Sequence, residues 1–384
     1  MAKRDRTETN PLFNANKIKL GVFTINGSGG ARTLVPEKFK LTWENSLDVA
    51  MAADEAGFEA IVPYQRWTSE AGPGHRSGSS YECLTWAAGI GARTSRSCVM
   101  STTHVMHIHP AVAAKMISTI DHICNGRFAV NIVCGWVPDD MTMFGHADLG
   151  SEGRYGYADE WITLLKRLWS EPDSFDFRGR YIEMEGGYSE PKPIQFPFPG
   201  LMNAGGSEDG QAFVAKHCDI AFIRTENHER MRERAANYRR MVAEKYGREV
   251  QIWIQAYVVQ RDSYDEAQAY LNHYAVEQAD HAHIDATLKL RNIQLSSAEE
   301  AVYRRNLGAG PGGLPLLGNA EDIANEMLKL SSLGIDGFLM TWVDFHNGVR
   351  QFGREVIPLL ERAGVRLPPS RTMPVARQPM SATS

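Results

Sequence analysis

Short apolar runs with the length of buried strands alternate with amphipathic helical stretches along almost the whole chain. This alternation is typical of a parallel sheet whose strands are joined by crossover helices. The apolar runs predict eight strands, which is the number that a closed (β/α)8 barrel needs. The predicted strands cover residues 18–25, 59–64, 97–104, 128–136, 200–206, 220–225, 250–260 and 335–345.

The helical stretches fit between and after these strands, and several of them end in glycine, as helix C-termini commonly do. We therefore predict an α/β protein with one (β/α)8 TIM barrel over residues 18–364, an N-terminal arm (1–17) and a C-terminal tail (365–384). The predicted helices cover residues 45–57, 109–126, 157–171, 207–218, 228–247, 320–334 and 349–364, and the terminal glycines are Gly57, Gly126, Gly247, Gly334 and Gly364.

Two segments interrupt this rhythm. Residues 170–199 are rich in proline and aromatic residues and predict an excursion between strands four and five. Residues 272–318 end in LGAGPGGLPLLG, whose glycines and prolines we expect to prevent a regular element. Insertions after strands four and seven would overhang the C-terminal mouth of the barrel, where such enzymes keep their sites, so we predict a lid. Residues 365–384 predict a poorly ordered tail or a partner-binding arm.

Composition and charge exclude several classes of protein. Hydrophobic residues at 43% and charged residues at 23% are ordinary globular values, and a net charge of −5 offers no general attraction to nucleic acid or anionic lipid. The polar start and the lack of a long apolar run predict a soluble, cytoplasmic protein. The five cysteines are widely spaced without a CxxC pair, so we expect core residues and neither a disulfide framework nor a zinc site.

One polar side chain interrupts the apolar run RFAVNIVCGW, residues 127–136. Strand alternation places Asn131 on the same face as Ala129 and Val133. An unpaired buried amide costs roughly 1–3 kcal/mol, so either a protein group or a ligand must satisfy Asn131.

Two further stretches could hold an anion. In MNAGGSEDG (202–210), Gly205 and Gly206 allow close backbone approach, and Ser207 begins a helix whose free amides suit phosphate. Arg154 and Tyr155 lie in the first turn of the helix after strand four, where arginine can bind phosphate through two hydrogen bonds. A tight turn with a capping box, and an ordinary surface arginine, are the alternatives.

The run THVMHIHP contains His104, His107 and His109. Imidazole is a common metal ligand, but this spacing matches no zinc motif, so we predict no metal site and favour substrate contact or loop packing. Gln65 and Arg66 follow strand two, a position suited either to a planar ligand or to an ordinary loop. The chain lacks a GxSxG elbow and a Walker A loop.

RFAVNIVCGW, preceded by HPAVAAKMISTIDHICNG and followed by RYGYADEWITLLKRLW, resembles the bacterial luciferase-like flavin-dependent monooxygenases. The resemblance is to the branch with pyrimidine oxygenase, dimethylsulfone monooxygenase and dibenzothiophene-sulfone monooxygenase, and it covers about residues 18–364. It implies a (β/α)8 barrel that uses reduced FMN (FMNH2), O2 and a separate NAD(P)H-dependent flavin reductase. It also implies a homodimer or homotetramer.

The resemblance also implies roles for particular side chains. Oxygen would be activated at the flavin N5, through an N5-peroxide, with Asn131 and the Thr102 hydroxyl as preorganised donors. Val62, Val133 and Trp136 would keep this pocket dry. By position, the residues that hold FMN would be Gln65, Arg66, Asn131, Asp140, Arg154, Tyr155, Gly206 and Ser207.

Two features depart from the relatives. Asp140 stands where pyrimidine oxygenase carries Glu, and the segment with His104, His107 and His109 is unlike the apolar residues of relatives. We expect an FMNH2-dependent two-component monooxygenase that oxygenates a small organic substrate with cleavage of a C–N or C–S bond, these histidines orienting the substrate. The alternatives are a deazaflavin- or flavin-dependent enzyme that transfers hydride without O2, and a non-catalytic FMN-binding paralogue. Heterocycle and sulfone substrates stay equally open.

Overall fold

The computed structural model describes residues 3–68, 79–135, 138–291 and 296–368. Within these residues, eight parallel strands close into a barrel, so the predicted (β/α)8 barrel is confirmed. The strands neighbour one another in the order β6-β5-β4-β3-β2-β1-β8-β7, and β7 pairs with β6 to complete the circle. They are β1 (Lys19–Phe23), β2 (Ala60–Val62), β3 (Cys98–His104), β4 (Phe128–Val133), β5 (Gly200–Asn203), β6 (Ile220–Ile223), β7 (Gln251–Gln260) and β8 (Gly337–Thr341).

One helix follows each barrel strand and forms the outer layer. Each predicted helical stretch is helical, with the expected glycines in positive φ at the ends, but the predicted helix 349–364 is divided into Phe345–Glu355 and Ile357–Arg362. The helices are α1 (Trp43–Ala56), α2 (Cys83–Gly91), α3 (Pro110–Ile123), α4 (Gly150–Ser170), α5 (Glu208–His217), α6 (His228–Tyr246), α7 (Ala320–Ser332) and α8 (Phe345–Glu355).

The sequence did not predict α2, because CLTWAAGIG is apolar almost throughout and contains two glycines. The helix forms because the Glu82 carboxylate caps it, accepting hydrogen bonds from the backbone amides of Leu84 and Thr85 at 2.8 and 2.7 Å. Its residues then pack between the barrel and the neighbouring helices, where Cys83, Trp86 and Ile90 are buried.

Shorter elements surround the barrel. In the N-terminal arm, a short strand pairs in parallel with residues 195 and 196. The additional helices are Arg6–Thr9, Pro138–Met143, Tyr264–Asn272, His281–Arg291, Ser297–Ala309 and Ile357–Arg362; Pro11–Phe13 and Val105–His107 are 3-10 turns and His273–Glu277 is a π-helical turn. The additional strands are Arg4–Asp5, Phe175–Arg178, Glu183–Gly187, Gln195–Phe196 and Leu314–Gly318.

The excursion between strands four and five packs along the outside of α4. A hairpin in this segment donates backbone hydrogen bonds from Arg180 and Tyr181 to the Glu160 carboxylate, at 2.6 and 2.9 Å. The Arg167 guanidinium lies 3.8 Å from the ring centroid of Phe175. The expectation that this segment overhangs the mouth is therefore wrong, because its aromatic and acidic contacts attach it to the helix.

The segment after strand seven contains regular structure that the sequence argued against. The helix Ser297–Ala309 includes the first residues of LGAGPGGLPLLG, and Leu314–Gly318 pairs in parallel with the second half of β7. Pro315 is tolerated because this strand lies at the edge of the sheet. Proline has no amide hydrogen, and on the open side of an edge strand no neighbouring strand needs one. His283 and Pro311 of this segment reach the cavity at the barrel mouth.

The first residues of the predicted C-terminal tail belong to the fold. The Lys17 amide donates to the Val365 carbonyl at 2.9 Å, and the Leu367 amide donates to Asn16 Oδ1 at 2.8 Å. The Arg366 guanidinium lies 2.7 Å from the Glu59 carboxylate, with both side chains 2% exposed. The boundary predicted at residue 365 is therefore too early; residues 369–384 lie outside the described ranges.

The hydrophobic core has two layers. Alternate strand residues such as Val62, Met100, Ala129 and Met202 fill the barrel interior, and a larger cluster lies between the strands and the helices. All five cysteines are buried and free, as predicted. Among the helices described, none is both long and apolar enough to span a membrane.

Candidate active site

Asn131 lies on β4 directly opposite Thr102 of β3. Its amide Nδ2 is 3.2 Å from Thr102 Oγ1, and that hydroxyl is 2.6 Å from the carbonyl oxygen of Pro63. Because a carbonyl can only accept, the hydroxyl donates to Pro63 and accepts from Asn131. The side chain of Asn131 is therefore held in one orientation, and the Thr102 proton is already used within the protein.

This orientation leaves Asn131 Oδ1 buried without a hydrogen-bond partner among the described residues. An unsatisfied buried acceptor costs roughly 1–3 kcal/mol, so the arrangement suits a ligand that supplies an N–H or O–H group. The protein thus satisfies the amide nitrogen of Asn131 and leaves its buried carbonyl oxygen without a partner among the described residues.

A cavity of ≈ 260 Å³ opens beside Asn131 at the C-terminal mouth of the barrel. Phe23 and Phe222 contribute aromatic rings to it, packed edge to face with centroids 6.1 Å apart. The predicted residues that line this cavity are Gln65, Arg66, Thr102, His104, Asn131 and Val133.

The sequence missed several polar lining residues. They come from segments that are far apart along the chain, and each is a single polar residue without a motif around it. No local pattern could have grouped them, because they meet only when the barrel closes. They are Thr24, Arg32, Gln255 and His283.

One of the predicted oxygen-pocket residues, Val62, is not among the residues that line this cavity. Val62 is fully buried and packs with Met100 and Ala129 in the barrel interior. Trp136 lies outside the described residues, so its predicted role stays a prediction. Of the three predicted apolar walls, the structure brings Val133 to the cavity.

Asp140 lies on the short helix Pro138–Met143 and is 1% exposed. Its Oδ1 accepts hydrogen bonds from the Thr68 amide at 3.0 Å and the Thr68 hydroxyl at 2.6 Å. Asp140 therefore ties the loop after β2 to the segment after β4. Its other carboxylate oxygen is buried without a partner among the described residues, so it suits a donor from a ligand such as a hydroxyl group.

The structure brings Tyr155 to the glycine loop after β5. A Cβ atom placed on Gly205 would lie 2.7 Å from the Tyr155 phenol oxygen, which shows how closely the two segments approach. Burial raises the pKa of Tyr155 to about 12, so the phenol keeps its proton and can donate. Ser207 caps α5 by accepting from the Gly210 amide at 3.2 Å, so the predicted helix cap is confirmed.

The glycine loop is fixed from both sides. Asn203 Oδ1 accepts from the Gly205 amide at 2.7 Å, and the Tyr238 hydroxyl donates to the Gly205 carbonyl at 2.7 Å. Gly206 has open space where a side chain would stand. Arg154 lies beside Gly135, and its guanidinium is 3.6 Å from the exposed Asp148 carboxylate. The N-terminus of α5 and the Tyr155 phenol together form a cradle that suits a phosphate.

We predict that Gly205→Ala disrupts this cradle. The added Cβ would lie 2.7 Å from Gly210 Cα and 2.8 Å from Asn203 Oδ1, so the loop must move, at a cost of about 1–3 kcal/mol in folding stability. We expect a lower thermal midpoint for Gly205→Ala than for the wild type in a heating scan followed by circular dichroism. Gly206→Ala is the matched steric control, because nothing lies within 4 Å of its Cβ; equal midpoints for the two variants would contradict the prediction.

The three histidines separate in the structure. His104 ends β3 and lines the cavity beside Asn131, and His107 lies in the following 3-10 turn. His109 is exposed and caps α3, its Nδ1 accepting from the Ala111 amide at 3.3 Å. The expectation that His109 orients the substrate is therefore wrong, because the side chain is the helix cap that precedes Pro110.

A second cavity of ≈ 300 Å³ adjoins the first, and Gln65, Thr102 and His104 line both. Burial, with smaller contributions from His107 and Arg66, lowers the pKa of His104 to about 3. Burial and the neighbouring His146 lower the pKa of His107 to about 4. Both imidazoles are therefore neutral near pH 7. Within the described ranges, no group of three or more His, Cys, Asp or Glu residues is arranged to hold a metal ion.

The fold and the site together define a (β/α)8 barrel enzyme with a cofactor cavity at the C-terminal mouth of its strands. The sequence model of the luciferase-like monooxygenase family matches residues 18–337. The chain therefore belongs to the luciferase-like monooxygenases, and the predicted class of flavin-dependent monooxygenase is confirmed.

Named relatives cover nearly the full chain. An FMNH2-dependent dimethylsulfone monooxygenase of Pseudomonas putida is 28% identical over 357 residues, covering 89% of this chain and 95% of that protein. The pyrimidine monooxygenase RutA of Caulobacter vibrioides is 29% identical over 364 residues, covering 90% and 99%. Among solved structures, the long-chain alkane monooxygenase LadA has a TM-score of 0.80 at 22% identity, covering 91% of this chain and 92% of that one, and supports the fold alone.

Proposed function

We propose that this chain is an FMNH2-dependent monooxygenase that uses O2 to oxygenate a small organic substrate, with cleavage of a C–N or C–S bond. The relatives with similar length act on a sulfone or on pyrimidines, as their names state. The observation that carries the proposal is the buried, unpartnered Oδ1 of Asn131 at the wall of the mouth cavity.

The residues present fit FMN at three points. Asn131 Oδ1 suits an N–H group at the edge of a reduced isoalloxazine ring, and Gln65 and Arg66 line the same cavity. Asp140 suits a hydroxyl of the sugar-like chain through its free carboxylate oxygen. The cradle formed by Tyr155 and the loop at Gly206 and Ser207 suits the terminal phosphate. When bound, reduced FMN supplies the two electrons that activate O2.

The protein's own contribution is orientation and exclusion of water. Thr102 accepts from Asn131 Nδ2 and donates to Pro63, so it fixes the carboxamide before any ligand arrives. In this arrangement Thr102 positions Asn131 and does not itself donate to oxygen. Val133, Phe23 and Phe222 give the cavity apolar walls, which limit access of water to the reacting centre.

The proposed partner is a separate NAD(P)H-dependent flavin reductase. A relative named for its dependence on FMNH2 supports this, because the name describes reduced flavin as something supplied to the enzyme. The predicted assembly as a homodimer or homotetramer stays a prediction.

The test combines the purified chain, NADH, a generic flavin reductase and isotopically labelled O2 with a panel of small heterocycles and sulfones. We expect mass spectrometry to detect a cleaved product that carries one labelled oxygen atom. A parallel reaction with reduced deazaflavin should consume no O2. Hydride transfer from deazaflavin without O2 uptake, or tight FMN binding without any oxygenated product, would contradict the proposal.

A further inference from the structure

The second cavity has no role in the function proposed above. It lies beside the cofactor cavity, and the two share Thr102, the residue that holds Asn131 in place. A molecule in this chamber would therefore lie next to the carboxamide at the reacting centre. Its volume of ≈ 300 Å³ is enough for a compound of one or two rings.

The chamber has an apolar part, and two of its lining side chains, Trp67 and His107, carry planar aromatic rings. Trp67, Leu84, Ile108 and Met116 line it. On its outer side, the His107 ring stacks on Phe144 with centroids 4.1 Å apart and an angle of 14° between the rings. Aromatic faces held in this way favour a planar ligand over a tetrahedral one.

Of the polar residues that line this chamber, His104 and His107 have ring nitrogens without a hydrogen-bond partner among the described residues. His104 is 6% exposed, and its Nδ1 is buried without a hydrogen-bond partner. Both ring nitrogens of His107 are also buried without a partner among the described residues. A neutral imidazole offers one donor and one acceptor, so the pair presents both kinds of group.

The chamber carries one charged lining residue in the part of the chain that the structure describes, Glu82. Both of its carboxylate oxygens accept backbone hydrogen bonds at the N-terminus of α2, from Leu84 and Thr85. The charge is thus bound to the positive end of a helix dipole and is poorly placed to pair with a cationic ligand. None of the described residues that line this chamber is an arginine or a lysine, so an anionic ligand would lose its hydration without a charge partner in the lining.

We propose that this chamber is the substrate site and takes an uncharged, flat ring that offers both a hydrogen-bond donor and an acceptor, held by His104 and His107. The assignment rests on the proposed function for the identity of the reaction, but binding itself can be measured without turnover. It favours a lactam-like heterocycle over a sulfone, which is tetrahedral at sulfur and only accepts hydrogen bonds.

The test is calorimetric titration of the chain saturated with oxidised FMN, which does not turn over. The probes are 2-pyridone, benzoate and dimethyl sulfone. We expect 2-pyridone to bind at least tenfold more tightly than the other two. Equal or tighter binding of benzoate or dimethyl sulfone would overturn the inference. So would competition between 2-pyridone and FMN, because the chamber would then hold part of the cofactor.

Two variants test the site directly. His107→Phe keeps a ring to stack on Phe144 but removes both nitrogens, and should weaken 2-pyridone binding about tenfold. Met116→Phe fills the chamber from its apolar wall and should weaken binding to a similar degree. His109→Asn is the matched control, because that exposed histidine only caps α3, and it should bind 2-pyridone as the wild type does. Unchanged binding in both chamber variants would refute the assignment.

The two proposals fail in different ways. A chain that binds 2-pyridone through His107 but forms no oxygenated product contradicts the proposed function alone. A chain that oxygenates a sulfone and does not bind 2-pyridone contradicts the substrate assignment alone.

Discussion

The Asn131→Ala variant is expected to lose product formation by about 100- to 1,000-fold, which is the size of effect seen when one preorganised polar group is removed from a reacting centre. The substitution deletes the unpartnered Oδ1 and also frees the Thr102 hydroxyl from its Asn131 partner. Because the Thr102 bond to Pro63 is independent of Asn131, the barrel should stay folded. Product yield by mass spectrometry and the thermal midpoint measure the two parts of the prediction.

Thr102→Val is the matched control for this effect. Valine has nearly the same shape as threonine but cannot accept a hydrogen bond from Asn131 Nδ2. The carboxamide is therefore present in this variant but less firmly oriented. The variant also loses the hydrogen bond to the Pro63 carbonyl, but only the bond from Asn131 orients the carboxamide. Loss of that bond, worth about 1 kcal/mol, predicts a fall of about five- to tenfold, well short of that in Asn131→Ala. Turnover in Asn131→Ala equal to that of the wild type would remove Asn131 from the mechanism.

The Arg366→Ala variant is expected to lose about 3–5 kcal/mol of unfolding free energy, because it leaves the buried Glu59 carboxylate without its charge partner. Arg366 also donates to the carbonyls of Ile18 and Gly57, so it joins the start of β1, the end of α1 and the last residues of the fold. Denaturant unfolding of the chain measures the loss, seen as a lower midpoint.

Arg362→Ala is the control, because that arginine lies four residues earlier and is exposed, so its removal should change stability by less than about 0.5 kcal/mol. The wild type should also lose stability in acid. Burial alone would raise the pKa of Glu59, but Arg366 and the hydrogen bonds from Leu20 and Asn16 lower it below its usual value. The stabilisation is therefore complete above the pKa of an unfolded glutamate and is lost as the pH falls through the lower folded value. Similar midpoints for Arg366→Ala and Arg362→Ala would show that the pair contributes little.

Local patterns were enough to predict the barrel and part of the site. Each strand and most helices follow from the periodicity of apolar residues and from helix caps between residues a few positions apart. One such cap is Ser207, whose hydroxyl accepts a hydrogen bond from the Gly210 amide. Alternation along β4 likewise put Asn131 on the inward face. The same reasoning failed for α2, whose apolar sequence has no helical period, and for His109, whose role as a helix cap is set by the turn before it.

The sequence by itself determined the number and order of the barrel strands, and it determined that one carboxamide interrupts the fourth strand, because these features depend on neighbours within a few residues. Only the tertiary structure decided that Thr102 holds Asn131 by its nitrogen, that Arg366 pairs with Glu59, and that His104 and His107 share a chamber from which His109 is excluded. The physical reason is that these contacts depend on how segments far apart along the chain meet, or on the direction of a turn. Strand register and barrel closure bring the segments together, and composition or motif spacing predicts neither the register nor the closure.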